Sequence, residues 1–453
     1  MAFSLSGITN ASAEAARADH YSGTNGIRLF TVGQATPASH VSYPFLHTIA
    51  QEWTAASRET VMRGGLFGYF SAVCWEMGRT IHDGLGGSVP VGLISSNWPG
   101  TTVQTWTPDA AYLPCCSLFP EGANACRPGG QGLLFDAMIA PFAVGPLTLN
   151  GFSWYQGESN TVPNNDSLAY NAGARFYSCC FPAMITAWRE AFKGKGGEGA
   201  ASSSIPGNEQ TLQAKEEEEE EELFFGFVQL STWCNPDQSG IAPMRGQLGV
   251  PTAEAGQMAA MSLPNVAYVT NADHGNGCGI HPPDKQFPGM RLGNAALNIV
   301  LKKDIPWQSP TYERVKTSPS PSLSSRPSSS SVSVTVSLAG VGAEGLHLIH
   351  PYNAVTLERS HLTCESVDVK ANESGTCGWA SIKFGGVWLN ASVAIDGKSA
   401  LTLTSSSAGV GVAGGAAATV EATAYGWAPI PMMNVYDIST GLPLLPWNRT
   451  LKK

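Results

Sequence analysis

A short apolar run passes directly into a polar turn in the stretch Phe152-Ser153-Trp154-Tyr155-Gln156-Gly157-Glu158-Ser159-Asn160. Its first four residues have the aromatic, apolar character of a strand that packs into a core. The Gln-Gly-Glu sequence that follows is too polar to continue the strand and predicts a turn. The same order, a strand and then a polar segment, occurs twice more along the chain, so this stretch indicates the type of sheet that forms.

The two other strands of this kind are predicted at residues 89–94 and 266–270. The first precedes Ser95-Ser96-Asn97-Trp98-Pro99-Gly100-Thr101, and the second precedes Asn271-Ala272-Asp273-His274. Helical patterns separate the strands, and strand–helix alternation predicts an α/β domain whose parallel sheet is covered on both faces. In such sheets ligands bind beyond the carboxyl ends of the strands, where these polar segments lie.

Further elements complete the predicted domain. Apolar runs predict strands at residues 27–32 and 225–230, and helical periodicity predicts helices at residues 69–83 and 135–139. A last helix is predicted over residues 181–192, with Pro182 in its first turn, where the missing N–H of proline costs nothing.

The composition is that of a globular protein with a substantial core. Of the 453 residues, 43% are hydrophobic and 13% charged, which allows one large domain and a smaller one. The net charge of −9 owes much to the unbroken glutamate run at residues 216–222. No basic face is evident, which argues against a nucleic-acid partner. No apolar stretch is long enough to predict a membrane span.

Two low-complexity segments divide the chain. Residues 194–222 are rich in Gly, Ser and Glu and predict a disordered acidic insertion within a first domain, residues 1–316. Residues 317–331 are rich in Ser and Pro and predict a linker. The remainder, residues 332–453, alternates apolar and polar residues in short patches and predicts a small β domain.

Ten cysteines and five Asn-x-Ser/Thr sequons bear on the compartment. The cysteines lack the spacing of a zinc site and include two adjacent pairs, which favours a disulfide-bonded, secreted protein over one with free buried thiols. The sequons support the same interpretation. Because no signal peptide is visible, a secreted protein would need further residues upstream of Met1.

The polar segments contain groups suited to acyl transfer. His281 with a nearby carboxylate such as Asp273 can act as a general base. The Gly100 N–H and the Gln156 amide can form an oxyanion hole. Simpler interpretations exist: His281 could end a turn, Asp273 could form an Asx turn, and Gln156 with Glu158 could be a structural hydrogen-bonded pair. No Gly-x-Ser-x-Gly nucleophile motif occurs in the chain.

Six segments resemble the sialate O-acetylesterase family, which is of the SGNH-hydrolase type, and they occur in the family's order between about residues 1 and 301. They are Gly68-Tyr69-Phe70-Ser71-Ala72-Val73-Cys74-Trp75, Gly92-Leu93-Ile94-Ser95-Ser96-Asn97-Trp98-Pro99-Gly100-Thr101, Trp154-Tyr155-Gln156-Gly157-Glu158-Ser159-Asn160, Phe181-Pro182-Ala183-Met184-Ile185 with Trp188-Arg189-Glu190, Phe225-Gly226-Phe227-Val228-Gln229-Leu230, and Ile280-His281-Pro282 with Asp284-Lys285-Gln286. The third and last segments are fairly specific.

The resemblance implies a three-layer α/β/α sandwich around a parallel sheet, and hydrolysis of O-acetyl esters on sialic acids with release of acetate. It implies that His281 is the general base, Asp273 orients it, Gly100 and Gln156 line the oxyanion hole, and Glu158 braces that loop. It implies no metal or organic cofactor. With the cysteines and sequons it points to an extracellular or lysosomal protein acting on a glycan or a free O-acetylated sialic acid.

The chain departs from the family pattern at three places. The family's nucleophilic serine lies in a Gly-Gln-Ser-Asn-Met motif after a first strand, and Met1-Ala2-Phe3-Ser4 resembles the continuation of that motif. We therefore expect the serine upstream of this chain. Pro99 replaces a glycine, so only Gly100 can donate an N–H there. Cys278 stands where many SGNH enzymes carry the aspartate, which leaves Asp284 as a competitor of Asp273.

Three alternatives remain open on the sequence alone. The chain could be a pseudoenzyme that binds acetylated glycans without cleaving them. It could be an esterase of another acetylated polysaccharide, from plants or microbes. It could use Glu158 and Asp273 as a glycosidase pair, which would need a suitable separation of the two carboxyl groups across a sugar cleft.

Overall fold

The computed structural model describes residues 2–35, 44–118, 132–161, 173–193, 222–233, 241–250, 255–277, 279–316, 331–348, 380–406, 419–428, 430–431 and 433–451. The predicted acidic insertion, except residue 222, and the predicted linker, except residue 331, lie outside these ranges. Cys278 lies outside them as well.

The first sheet has three strands in the order β2-β1-β3, which are β1 (Ile27–Val32), β2 (Ile49–Ala55) and β3 (Val91–Ser95). Strands β1 and β3 are parallel, with Ile27 opposite Val91, whereas β2 runs antiparallel to β1. Ile27 and Leu29 are fully buried on one face of β1 against helices, because alternate residues of a strand point to the same side. The antiparallel β2 was not predicted from the sequence.

The second sheet is wholly parallel. Its strands, in the order β4-β5-β6, are β4 (Gly151–Trp154), β5 (Phe224–Val228) and β6 (Val266–Val269). Every residue of β5 and β6 is buried, as expected of parallel strands covered on both faces. The prediction of an α/β fold with parallel strands is therefore confirmed. Because β4 and β6 run in the same direction, their carboxyl ends meet at one edge.

Nine α-helices fall in the described ranges and accompany these strands. They are α1 (Ala11–Ala18), α2 (Arg58–Met62), α3 (Ala72–Gly84), α4 (Asp109–Tyr112), α5 (Leu133–Met138), α6 (Ala140–Val144), α7 (Gly173–Phe192), α8 (Ile241–Arg245) and α9 (Gln286–Ile299). None of them is both long and apolar enough to cross a bilayer.

Helices α3 and α9 pack against each other and join the two sheets. Helix α3 contacts β1 and β3, whereas α9 contacts β5 and β6. Glycine makes the crossing close: a Cβ on Gly289 would lie 2.4 Å from the Glu76 Cβ, and one on Gly293 would lie 2.6 Å from the Thr80 Cβ. The absence of side chains at these two positions therefore sets the spacing of the helices.

The sequence prediction for α7 was wrong at its start. Pro182 lies well inside the helix Gly173–Phe192 and not in its first turn. A proline inside a helix removes one backbone hydrogen bond. The buried side chains of Phe176, Tyr177 and Cys180 precede it, so apolar packing on both sides of Pro182 offsets that loss.

Aromatic residues dominate the main core. The Trp154 ring of β4 packs against Phe181 and Trp188 of α7, and Phe181 packs in turn against Phe225 and Phe227 of β5. The disulfide between Cys115 and Cys179 anchors the start of this helix.

The C-terminal part forms a separate antiparallel sheet of seven strands, in the order β15-β13-β10-β11-β12-β8-β7. A two-stranded sheet, β14-β9, accompanies it. The bounds are β7 (Thr311–Lys316), β8 (Ser331–Ala339), β9 (Leu346–Leu348), β10 (Ala380–Phe384), β11 (Val387–Asp396), β12 (Ala400–Ser406), β13 (Val420–Tyr425), β14 (Val435–Asp437) and β15 (Trp447–Thr450). Strand β7 pairs with β8, so this sheet includes residues before position 317.

The seven-stranded sheet is attached to the α/β part along its edge strand β15. The Gln247 side chain donates to the Asn448 carbonyl (2.8 Å) and accepts from the Asn448 N–H (2.9 Å). Arg449 donates to the carbonyls of Leu248 and Gly249, and Arg245 donates to the Ala428 carbonyl. Side chains on one part thus satisfy backbone groups on the other.

Candidate active site

The segment after β3 begins buried and ends in an exposed turn. Asn97 is buried and donates from Nδ2 to the Ser95 Oγ (2.6 Å) and the Tyr69 carbonyl (3.1 Å). Gly100 lies exposed in the turn with φ +72°, which favours glycine over other residues. Nothing lies within 4 Å of the position that a Gly100 Cβ would take. The backbone at Gly100 is therefore open to an approaching ligand.

The side-chain amide of Gln156, after β4, forms hydrogen bonds through both its nitrogen and its oxygen. Its Nε2 donates to the Thr101 carbonyl and to the Asn160 Oδ1, both at 2.9 Å. Its Oε1 accepts from the Tyr177 hydroxyl at 3.1 Å. Both amide hydrogens are thus used within the protein. For Gln156 to act in an oxyanion hole, one of these bonds would have to exchange for the substrate oxygen.

Asn160 joins the segments that follow β3 and β4. This fully buried residue accepts from the Val103 N–H (2.9 Å) as well as from Gln156, and it donates to Gln104 Oε1 (3.0 Å). Asn160 is part of the sequence motif, but no role was predicted for it from the sequence. The available signal was its position, four residues after Gln156 in a turn. The bonds fix Gly100 and Gln156 relative to each other.

Glu158 opens the short 3₁₀ turn after Gly157. Burial raises the pKa of Glu158, whereas the backbone N–H groups of Glu158 and Gly157 and the Lys285 charge act in the opposite direction. The supporting role of Glu158 stays a prediction.

Asp273, after β6, is buried and bonded to Arg291. The guanidinium group donates to both carboxylate oxygens, at 2.8 and 2.7 Å, and also to the Thr270 carbonyl. His274 Nε2 lies 3.4 Å from Asp273 Oδ2. Burial alone would raise the pKa of Asp273, but Arg291 and His274 outweigh it and the pKa is lowered. Asp273 is therefore held as an anion, and its described partners do not include His281.

His281 lies exposed in the loop before α9. Its ring packs edge to face on Phe67, with the ring centroids 5.1 Å apart, and it makes no hydrogen bond to any described residue. Partial burial of the ring and the positive charge of Lys285 lower the pKa of His281. The neutral form that a general base needs is thus favoured.

The beginning of the chain lies against this loop. Thr9 donates from its N–H to the Pro283 carbonyl (3.1 Å) and from its hydroxyl to Asp284 Oδ1 (2.5 Å). Its carbonyl accepts from Gln286 Nε2 (2.5 Å). The Phe3 ring packs on Phe67, the same ring that contacts His281, with the centroids 5.7 Å apart. Residues 3–9 therefore run beside His281.

Of the five predicted site residues, three lie in the two segments that follow β3 and β4. Gly100, Gln156 and Glu158 lie in two bonded segments, and Lys285 connects them to the His281 loop, since its Nζ is 4.6 Å from the Tyr155 ring centroid. Asp273 lies at the end of β6 and is bonded to Arg291. In the described ranges, no group of three or more His, Cys, Asp and Glu side chains is arranged to hold a metal ion.

The chain is similar in sequence to sialate O-acetylesterases. It is 31% identical to the human protein of that name over 276 residues, which is 58% of this chain and 46% of the human one. It is 28% identical to the mouse protein over 353 residues, covering 70% of this chain and 58% of the other. The chain thus spans about half the length of these curated relatives. No family model matches it.

The fold is shared with a solved enzyme. A carbohydrate acetylesterase from Xanthomonas citri superposes with a TM-score of 0.63 at 20% identity, over 99% of this chain and 78% of that one. At this identity the likeness establishes the common fold and nothing about the chemistry.

Proposed function

We propose that the protein hydrolyses acetyl esters on carbohydrates. The observation that carries the proposal is that the segments of Gly100 and Gln156 are hydrogen-bonded to each other and that Lys285, four residues after His281, lies against Tyr155. These three segments are among those of the sequence resemblance. The similarity to sialate O-acetylesterases supports O-acetylated sialic acids as the substrate. It also supports the finer fold assignment, a three-layer SGNH-type sandwich.

In the proposed reaction a serine upstream of this chain attacks the acetyl carbonyl and His281 accepts its proton. The Gly100 N–H and a Gln156 N–H released from one of its present bonds stabilise the negative oxygen of the tetrahedral intermediate. The bond to the sugar oxygen then breaks, and His281 returns the proton to that oxygen. Water, deprotonated by His281, hydrolyses the acetyl-serine and releases acetate. The location of Phe3 next to Phe67 supports an approach of the upstream serine to His281.

The assignment of Asp273 as the carboxylate that orients His281 stays a prediction, with Asp284 as its competitor. The kcat values of the Asp273→Asn and Asp284→Asn variants distinguish the two assignments. The orienting aspartate should lose kcat by about 10²- to 10⁴-fold on conversion to Asn, because the imidazole tautomer is no longer fixed. Asp273→Asn also disrupts the buried bond to Arg291, so its unfolding must be measured alongside.

We also propose that the protein enters the secretory pathway and is extracellular or lysosomal. Its support is the Cys115–Cys179 disulfide together with the sequons, because disulfides persist in oxidising compartments.

The deciding experiment compares this chain with a form extended upstream by the in-frame genomic sequence. Both are assayed on an aryl acetate and on a 9-O-acetylated sialic acid. We expect activity in the extended form, and a loss of at least about a thousandfold in its His281→Ala variant. His20→Ala, at an exposed histidine in the 3₁₀ turn that follows α1, serves as the matched control.

If neither form cleaves either ester, the esterase proposal fails. Binding of acetylated glycans to the inactive protein would then support the pseudoenzyme alternative. Activity on an acetylated polysaccharide but not on the sialic acid would keep the reaction and change the substrate.

A further inference from the structure

Three of the five Asn-x-Ser/Thr sequons lie in the described ranges, at Asn10, Asn390 and Asn448. N-linked glycans are bulky and hydrophilic, so they require an asparagine at the surface. Asn448 is partly buried and its backbone is bonded to Gln247 of the α/β part, whereas Asn10 and Asn390 are exposed. The last two are therefore the accessible candidates for modification.

Asn390 lies on the outward face of β11 together with Trp388 and Ser392. Along this strand Ala391 is buried in the core of the sheet and Val393 packs against that core, whereas Trp388, Asn390 and Ser392 are exposed. Because alternate residues of a strand point to the same side, the side chains of Trp388 and Asn390 leave this face roughly 7 Å apart. The glycosylation motif and an exposed indole ring are thus direct neighbours.

The side chains beside this pair are small or already paired. On the neighbouring strand β10, Ser381 lies opposite Asn390 and Lys383 lies opposite Trp388. Lys383 Nζ lies 3.5 Å from Oε2 of Glu421 in β13, which flanks β10 on its other side. Trp388 stays 44% exposed, so a large apolar ring faces the solvent next to Asn390.

An exposed indole ring offers a surface on which a sugar can pack. The C–H groups on one face of a pyranose are apolar, and their contact with the flat face of Trp removes apolar area of both from water. A sugar linked to Nδ2 of Asn390 begins next to Trp388, within reach of its ring. At Asn10 the residue two positions earlier is Ile8, which is buried, so this second feature distinguishes Asn390 from Asn10.

We propose that Asn390 carries an N-linked glycan whose first sugar packs on the Trp388 ring. The donor is an oligosaccharide linked to a polyprenyl pyrophosphate. Asn390 Nδ2 forms a bond to C1 of its first N-acetylglucosamine and gives up a proton, while the C1–O bond breaks and the pyrophosphate leaves with the bonding electrons. The transferase that catalyses this step recognises the hydroxyl of Ser392.

Glycosylation of Asn390 in the natural cell rests on the proposed entry into the secretory pathway. The packing of the sugar on Trp388 does not, because it concerns the folded glycoprotein from any source. Neither claim depends on ester hydrolysis, so a failure of this inference and a failure of the proposed reaction are distinguishable.

The first test measures whether Asn390 is modified. The chain is expressed behind a heterologous signal peptide in cultured eukaryotic cells, and protein from cells and medium is treated with a peptide N-glycosidase in isotopically labelled water. We expect mass spectrometry to find labelled aspartate at position 390 in most molecules, and none in Ser392→Ala. Because the glycan is transferred before the strands pair, this result is independent of folding. An unlabelled asparagine at position 390 overturns the proposal.

The second test measures the packing by thermal unfolding of four secreted forms: the unchanged chain, Trp388→Ala, Asn390→Gln and the double variant. Trp388→Ala should lower Tm by about 2 °C or more beyond its effect in the Asn390→Gln background. Trp388→Phe, which keeps an aromatic ring, should restore most of this difference. Asn10→Gln removes the other exposed sequon and should leave the effect of Trp388→Ala unchanged. Equal losses of Tm with and without the Asn390 sequon overturn the packing on Trp388.

Discussion

Glu76 is a fully buried carboxylate in α3, bonded to Arg79 at 2.6 Å. Burial raises its pKa to about 7, against the effect of Arg79 and with that of Glu14. An unfolded glutamate ionises near pH 4.5, so between about pH 4.5 and 7 the folded state binds a proton that the unfolded state does not. The stability that Glu76 contributes is therefore full below this window and decreases as the pH rises through it.

We predict that Glu76→Gln flattens the pH dependence of unfolding. In the wild type, the free energy of unfolding from urea titrations should contain a part that falls between about pH 4.5 and 7 by an amount on the order of 1–3 kcal/mol. The variant cannot ionise, so that part disappears. Glu59→Gln, at an exposed residue paired with Arg63, is the control and should leave the slope as it is. Equal slopes in wild type and Glu76→Gln would refute the assignment.

At the scale of single residues, the sequence patterns indicated candidate site residues but not the hydrogen bonds that these residues make. Gly100, Gln156 and Glu158 were recognisable because each follows a strand with a polar, turn-forming segment. The pairing of Asp273 with Arg291 was not predictable, since Arg291 lies 18 positions away on a helix whose orientation only packing determines. The same holds for Lys285, whose aromatic partners come from residues 3 and 155.

At the scale of elements, hydrophobic periodicity predicted the bounds of strands and helices well, whereas the position of proline did not. Strand β1 was predicted with its observed bounds, because its six residues are almost all buried. Helix α7 was predicted too short, because proline usually occurs in the first turn of a helix. Here Pro182 is retained inside the helix by tertiary packing, which the local sequence does not reveal. Strand β2 was missed, since Ile49 and Trp53 are half exposed and no alternation marks it.

The close packing of helices α3 and α9 predicts the effect of a side chain at Gly289. Gly289→Ala should destabilise the fold by about 1–3 kcal/mol, because the new methyl group overlaps the Glu76 Cβ and lies 2.9 Å from the Val73 carbonyl. In an open helix the same change would add about 1 kcal/mol of stability. Gly145→Ala, at a glycine with nothing within 4 Å, is the control. Thermal unfolding measures both, and a more stable Gly289→Ala would contradict the close crossing.

For the whole molecule, the Cys115–Cys179 disulfide closes a loop across 64 positions of sequence. Chain-entropy arguments assign a cross-link of this span about 4 kcal/mol through restriction of the unfolded chain. We predict a loss of that order in the Cys115→Ser/Cys179→Ser double variant, measured by urea unfolding without reductant. Cys180→Ala tests whether loss of a neighbouring buried thiol has the same effect. A loss below about 1 kcal/mol in the double variant would show that the disulfide does little for stability.

The attachment of Gln247 to Asn448 has a consequence for how the C-terminal sheet behaves by itself. The amide group of Gln247 occupies the place of a peptide unit from a further strand, so it closes the outer border of β15. A fragment cut away from the α/β part would leave that border open, with N–H and C=O groups ready to pair with another copy. We therefore expect the α/β part to protect this edge of the sheet from pairing with another copy.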